Sequence, residues 1–216
     1  MATLCIETAT EHGMVVVARD ADSLAFARWR GAGRHGENLF GQIESALAEA
    51  GVSRSELSLI GVDVGPGKFT SLRVGLATAK GLALGLGIPI VGVSSLRVLA
   101  RSTDADPSLV RVPVMNAYRG DVFAAAYLLE GGELVELAAP TFGAPREVLG
   151  CIRELVAERG VALRGEGTAE PGALLSEAQH ALRADGPADL ALLEPHYMRP
   201  SDAKLPDRPL RTEHSG

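Results

Sequence analysis

Leu59-Ile60-Gly61-Val62-Asp63-Val64-Gly65-Pro66-Gly67-Lys68-Phe69-Thr70-Ser71-Leu72-Arg73 runs from an apolar strand, through a glycine-proline-glycine loop, into the start of a helix. The strand spans 59–64, and the helix reads from Thr70 to Leu86 with Gly87 as its stop. A loop that leaves a strand and opens a helix presents backbone N–H groups and the positive end of the helix dipole, which suits an anion. Spacing excludes a Walker P-loop: Val62 holds the place of the leading glycine, and Phe69 follows Lys68 where Ser or Thr is needed. Two readings stay open for Gly65, Pro66, Gly67, Lys68 and Thr70. One is a tight strand-to-helix turn. The other is a loop beside an anion, a nucleotide or a partner, together with Glu7, Thr8 and Thr10 after the first strand.

Upstream, Thr3–Ile6, the β-branched run Met14–Ala18 and Ser23–Arg30 read as three strands, with Gly31–Gly36 as a loop. Glu37–Ala50 follows as a helix, because Leu39, Phe40, Ile43, Ala46, Leu47 and Ala50 recur every three or four residues. Downstream, Ile88–Val93 is a strand, and Ser94 caps a helix through Ala100. Three strands, a helix, a strand, a helix and a strand make an antiparallel meander with parallel additions, the order of a ribonuclease-H-like unit. After the polar stretch Arg101–Pro107 the pattern restarts: strands at 110–115, 122–129 and 134–138, a helix at 145–158 and a strand at 161–164. This is a degenerate duplication. The predicted architecture is α/β, two ribonuclease-H-like lobes with mixed sheets, at 1–100 and 101–203. The second lobe is reduced, and 204–216 is a flexible tail.

The chain has 216 residues, 46% hydrophobic and only 4% aromatic, so its core is aliphatic. Its net charge is −6 and no dense block of Lys and Arg occurs, which argues against strong direct binding of nucleic acid by this chain alone. Cys5 and Cys151 are too distant and too unlike in context to form a disulfide framework. No run reaches transmembrane length and the N-terminus lacks a signal pattern, so a cytoplasmic protein is expected. No two of the five histidines lie four apart, none has a cysteine at zinc spacing, and no Gly-x-Ser-x-Gly elbow is present. Metal and hydrolytic machinery are therefore not expected.

The helix 70–86 is apolar nearly all round, with Arg73 and Lys80 on one face. Such a helix is buried, in a domain or at an interface. One sheet does not easily bury it together with the stripe of the preceding helix. The expected partner interface is therefore Leu39, Phe40, Ile43, Leu47, Leu72, Arg73, Leu76, Ala79, Lys80 and Ala83.

Several segments resemble one family in order along the chain. Leu4-Cys5-Ile6-Glu7-Thr8-Ala9-Thr10 resembles its opening Ile-Asp-Thr-Ala/Ser-Thr, and Gly65-Pro66-Gly67-Lys68-Phe69-Thr70-Ser71-Leu72-Arg73 resembles its Gly-Pro-Gly-Ser-Phe-Thr-Gly-Leu/Val-Arg. Asn116-Ala117-Tyr118-Arg119-Gly120-Asp121-Val122-Phe123 resembles Asp-Ala-Arg-Arg-Gly-Glu-Val-Tyr, and Pro195-His196-Tyr197-Met198-Arg199 resembles Pro-x-Tyr-Leu-Arg. The family is TsaB (YeaZ-like), with the actin-like ATPase (ASKHA) fold. The resemblance implies a non-catalytic dimerisation subunit of the tRNA threonylcarbamoyladenosine machinery, supporting the catalytic TsaD subunit, with TsaE in the larger complex and a homodimer when TsaD is absent. It implies contact with tRNA only through the complex, and ATP and metal in the partner subunits rather than in this chain. In folds of this kind an acidic residue at the place of Glu7 helps to position a metal–phosphate group. The alternative is an active nucleotide-binding ATPase or sugar-kinase-like enzyme of the same fold, for which Gly165-Glu166-Gly167-Thr168 is a weak adenosine-loop candidate. Glu7, Lys68, Ser71 and Asn116 depart from the family's Asp, Ser, Gly and Asp.

Overall fold

A computed structural model describes residues 2–19, 23–31 and 35–199. The tail expected at 204–216 lies outside the described residues, as does the middle of the Gly31–Gly36 loop. The elements are β1 (Ala2–Glu7), β2 (His12–Ala18), β3 (Leu24–Arg30), α1 (His35–Glu49), β4 (Leu57–Gly65), α2 (Phe69–Leu86), β5 (Ile90–Ser94) and α3 (Ser95–Arg101). They continue with β6 (Val110–Tyr118), β7 (Asp121–Glu130), β8 (Glu133–Gly143), α4 (Pro145–Val156), β9 (Val161–Gly165) and α5 (Pro171–Asp185).

Two mixed sheets result, ordered β3-β2-β1-β4-β5 and β8-β7-β6-β9. In each, three antiparallel strands come first and the strand after the next helix joins in parallel, β4 beside β1 and β9 beside β6. The second sheet repeats the first and stops one strand short. Gly131 and Gly132, both at positive φ, turn the β7–β8 hairpin, as that two-residue connection requires.

The first sheet is buried on both faces, which is why β2 reads as an unbroken apolar run rather than an alternation. Leu4, Ile6, Val15 and Val17 face α1 and α2, while Cys5, Met14 and Val16 face α5. There α5 lies so close that a Cβ on Gly61 would stand 2.7 Å from the Ala178 Cβ. In the second sheet, α4 covers one face and α3 the other. Each half of the chain thus lends a helix to the other sheet, and the segment 188–196 also returns to the first sheet through backbone bonds from Ala188 to Ile90 and from His196 to Val64.

A buried carboxylate fastens the exchanged helices. Glu177 of α5, 2% exposed, accepts from Arg97 Nε at 2.6 Å and Arg101 Nε at 2.5 Å, both on α3. Among the described residues no helix is long and apolar enough to cross a membrane.

Candidate functional site

The C-terminal ends of β1 and β4 bring Glu7 and Asp63 together at the bottom of a cavity of about 250 Å³ between the sheets. Asp63 is buried and accepts from Gly65 N–H at 2.7 Å and Ser95 O–H at 2.6 Å through one oxygen; its other oxygen has no partner among the described residues. Burial pushes the Asp63 carboxyl up to about 7, against the two hydrogen bonds, which pull it down. Burial, and then the neighbouring Asp63 charge, raise Glu7 as well, although Glu7 accepts from Ala9 N–H at 2.9 Å. At the Thr10 turn burial lowers the His35 imidazole below its ordinary range; Trp29 Nε1 donates to its Nδ1 at 3.1 Å and its Nε2 meets Thr10 O at 2.9 Å, which sets the tautomer.

The Gly65–Lys68 loop is locked to β1 by backbone. Lys68 N–H donates to Ala9 O at 2.7 Å, and a Cβ on Gly67 would lie 2.4 Å from the same oxygen. Thr8 donates to Ser71 O at 2.8 Å and lies under Gly75, where a Cβ would stand 2.3 Å from its Oγ1. Glu7, Thr8, Gly65, Pro66 and Gly67 therefore form one packed unit around Asp63; Thr10 joins it through its backbone, which hydrogen-bonds Glu7, while its hydroxyl pairs with the His12 backbone. Thr70 lies apart and exposed on the first turn of α2. The adenosine-loop candidate is likewise folded on itself: Thr168 donates to Gly165 O, and Glu166 accepts from Asn116 N–H.

The expected interface needs correction. Leu39, Ile43, Leu47, Leu72, Leu76, Ala79 and Ala83 are all buried within this chain. The first sheet does bury the stripes of both helices, because α1 and α2 lie side by side on one face and α2 supplies mostly small residues there. Lys80 is also committed, donating to Leu193 O at 2.9 Å. Beyond Phe69 on the first turn of α2, the large apolar side chains left exposed on the two helices are Phe40, 58% exposed, and Leu84, 74% exposed; Gly41, Ala77, Gly81 and Gly85 are exposed as well, as are the polar Glu37, Asn38, Glu44, Ser45 and Glu49 of α1. Arg73 is exposed at the end of this face, stacked over Phe69 at 4.0 Å and donating to Tyr197 OH.

The family model of TsaD, tRNA N6-adenosine threonylcarbamoyltransferase, matches residues 30–183. The chain belongs to this family, as a TsaB (YeaZ-like) member. It is 34% identical to an uncharacterized protein of Mycobacterium leprae over 94% of this chain and 50% of that one. It is 32% identical to the Escherichia coli tRNA threonylcarbamoyladenosine biosynthesis protein TsaB over 59% of this chain and 55% of that one. The chain thus spans about half the length of each of these two relatives. A Pseudomonas aeruginosa structure, described as an uncharacterized protein with similarity to the peptidase YeaZ, superposes with a TM-score of 0.79 at 24% identity, over 92% of this chain and 99% of that one. The shared fold is the α/β arrangement of two mixed sheets described above.

Seen as a TsaB-type chain, its departures acquire structural accounts. Lys68 occupies the helix N-cap and makes no side-chain capping bond. Asn116 caps the bulge before the β6–β7 turn, its Oδ1 accepting from Tyr118 N–H at 2.7 Å. Ser71 is buried, with its carbonyl on Thr8. Sequence reasoning missed Asp63 and Ser95, because a lone carboxylate in an apolar strand and a serine at a helix start look like ordinary structure. It also missed α5 and Glu177, although Pro171 followed by Leu174, Leu175, Ala178 and Leu182 carries the helical spacing.

Proposed function

We propose that this chain is a non-catalytic dimerisation subunit in tRNA threonylcarbamoyladenosine biosynthesis, pairing with a TsaD-type catalytic subunit. The observation that carries it is the outer face of α1 and α2. A glycine inside a helix costs about 1 kcal/mol against alanine. Gly75 has a reason inside the chain, the Thr8 hydroxyl; at Gly41, Gly81 and Gly85 a Cβ would meet nothing within 4 Å. Glycines that nothing internal requires, beside the exposed Phe40 and Leu84, suit the close approach of other helices. A homologous subunit carries the matching helices, and a pseudo-twofold pairing sets like against like. The same face serves a homodimer when TsaD is absent, and TsaE joins in the larger complex.

In this reading ATP, metal and tRNA chemistry belong to the partners. The locked Gly65–Lys68 loop supports it, since the backbone N–H of Lys68 is aimed at Ala9 rather than at a ligand.

The test is co-purification of the tagged chain with TsaD. Phe40→Asp, on an exposed position, should leave the fold intact by circular dichroism and weaken retention at least tenfold. ATP or peptide turnover by the isolated chain that disappears in Asp63→Asn would instead establish an enzyme of the same fold.

A further inference from the structure

A second cleft, of about 430 Å³, opens where three distant segments meet: the first turn of α2, the β6–β7 turn and the stretch before Arg199. Lys68, Phe69, Tyr118, Arg119, Tyr197 and Arg199 line it. In a chain with 4% aromatic residues, three half-exposed rings stand together here: Phe69 at 45%, Tyr118 at 39% and Tyr197 at 42%. The Phe69 and Tyr197 rings lie 5.0 Å apart. Tyr118 is turned outward at φ 63°, where the bulge and the Asn116 cap hold it. Arg199 is braced by the carbonyls of Ala117 and Tyr118. The Lys68 side chain makes no hydrogen bond or ion pair with the described residues; it borders the cleft, and its charge also reaches His35. A serine at that N-cap would stabilise the helix by about 1 kcal/mol; the lysine forgoes this and adds a cation. Among the described residues three carboxylates stand against these charges: Asp121, 3.9 Å from Arg199, and Glu166 and Glu11, whose charges both reach Tyr118. Lys68, Arg119 and Arg199, with Arg73 just outside, bring four cations to one place in a chain whose net charge is −6.

Rings interleaved with cations are the means by which unpaired nucleotides are held: the base stacks and the phosphate is neutralised. We propose that this cleft is a nucleotide site, taking a base against Tyr118 and the Phe69–Tyr197 pair and a phosphate between Lys68, Arg119 and Arg199. The nucleotide belongs either to an RNA strand or to a free mononucleotide. The cleft adjoins the partner face proposed above at Arg73 but shares neither Phe40 nor Leu84 with it, and binding here requires no TsaD.

The test uses the isolated full chain in low salt, with two fluorescent probes: an end-labelled unmodified tRNA transcript and a labelled ATP analogue. Saturable binding of either is expected, and the probe that binds identifies the source. Tyr118→Ala should weaken that binding about tenfold. Lys68→Ser should weaken it three- to tenfold while leaving Tm unchanged or raised, which rules out unfolding as the cause. Both variants should retain TsaD. Absence of binding by both probes at 100 μM overturns the proposal. So does weakening by Lys68→Ser alone, which would mean attraction of a polyanion without base recognition.

Discussion

On its inner face α2 sets Gly75, Leu76, Ala79 and Ala83 against β4, β1 and α1, and every one of these is buried; on its outer face Ala77, Gly81, Leu84 and Gly85 stand exposed, and a Cβ on either glycine would meet none of the described residues within 4 Å. The composition of the two faces is nearly the same. What separates them is whether the chain itself explains each small residue. Inside, Gly75 admits the Thr8 hydroxyl, and Thr8 in turn belongs to the unit built on Glu7 and Asp63. Outside, the small residues leave a smooth surface whose reason lies beyond this chain.

The largest effect should come from a charge on the inner face. Leu76 is 6% exposed, and Leu76→Asp buries an unpaired carboxylate at a cost of about 4 kcal/mol or more, a large share of the stability of an ordinary domain. Urea titration followed by circular dichroism should show a chain unfolded, or nearly so, without denaturant. The opposite result, a stable Leu76→Asp monomer that no longer retains TsaD, would place Leu76 at the interface after all and erase the distinction between the faces. Gly75→Ala, which drives a methyl into Thr8, should act in the same direction by about 1–3 kcal/mol.

The foundation under the inner face is the carboxylate pair, and it makes a pH-dependent contribution. The Asp63 carboxyl titrates near 7 in the folded chain and near 4 when unfolded. Below pH 4 both states are protonated and the contribution is complete. As pH rises from 4 to 7 the unfolded chain releases the proton first, so stability falls, and above pH 7 the folded chain bears a buried charge. Asp63→Asn removes that charge and keeps an acceptor for Ser95 and Gly65. It should raise Tm at pH 8 by about 4–8 °C, equivalent to roughly 2 kcal/mol, and leave it unchanged at pH 4. Thermal melts at pH 4, 6 and 8 decide this; parallel curves for the two proteins would mean that Asp63 ionises normally.

How much of this was readable from sequence follows from the same contrast. Strand and helix periodicities located β1 to β9 and α1 to α4 within a few residues, because burial imposes those periods directly. The misreading of α2 arose because alanine and glycine count as apolar while covering little area, so a helix apolar all round still has an inside and an outside. The carboxylates, the exchange of α3 and α5 between the sheets, and the cleft at Lys68, Tyr118 and Tyr197 depend on residues about 50 or more positions apart. No local pattern carries such a meeting: each cation in that cleft stands singly in the sequence, which is why the chain showed no basic block.

The smallest effect is the one that reads the outer face most directly. Gly81 lies in the middle of α2, where a Cβ meets nothing in this chain. Gly81→Ala removes the backbone freedom that the unfolded chain gains from glycine, and should stabilise the isolated protein by up to about 1 kcal/mol. For a chain of this length that is a rise of about 2–4 °C in Tm. If another helix approaches at Gly81, the same methyl separates the two backbones, and retention of TsaD should fall even as the monomer gains stability. The two measurements move in opposite directions only when the glycine serves a partner. A higher Tm with undiminished retention would show that the outer face of α2 is ordinary solvent surface, and would move the partner interface elsewhere on the molecule.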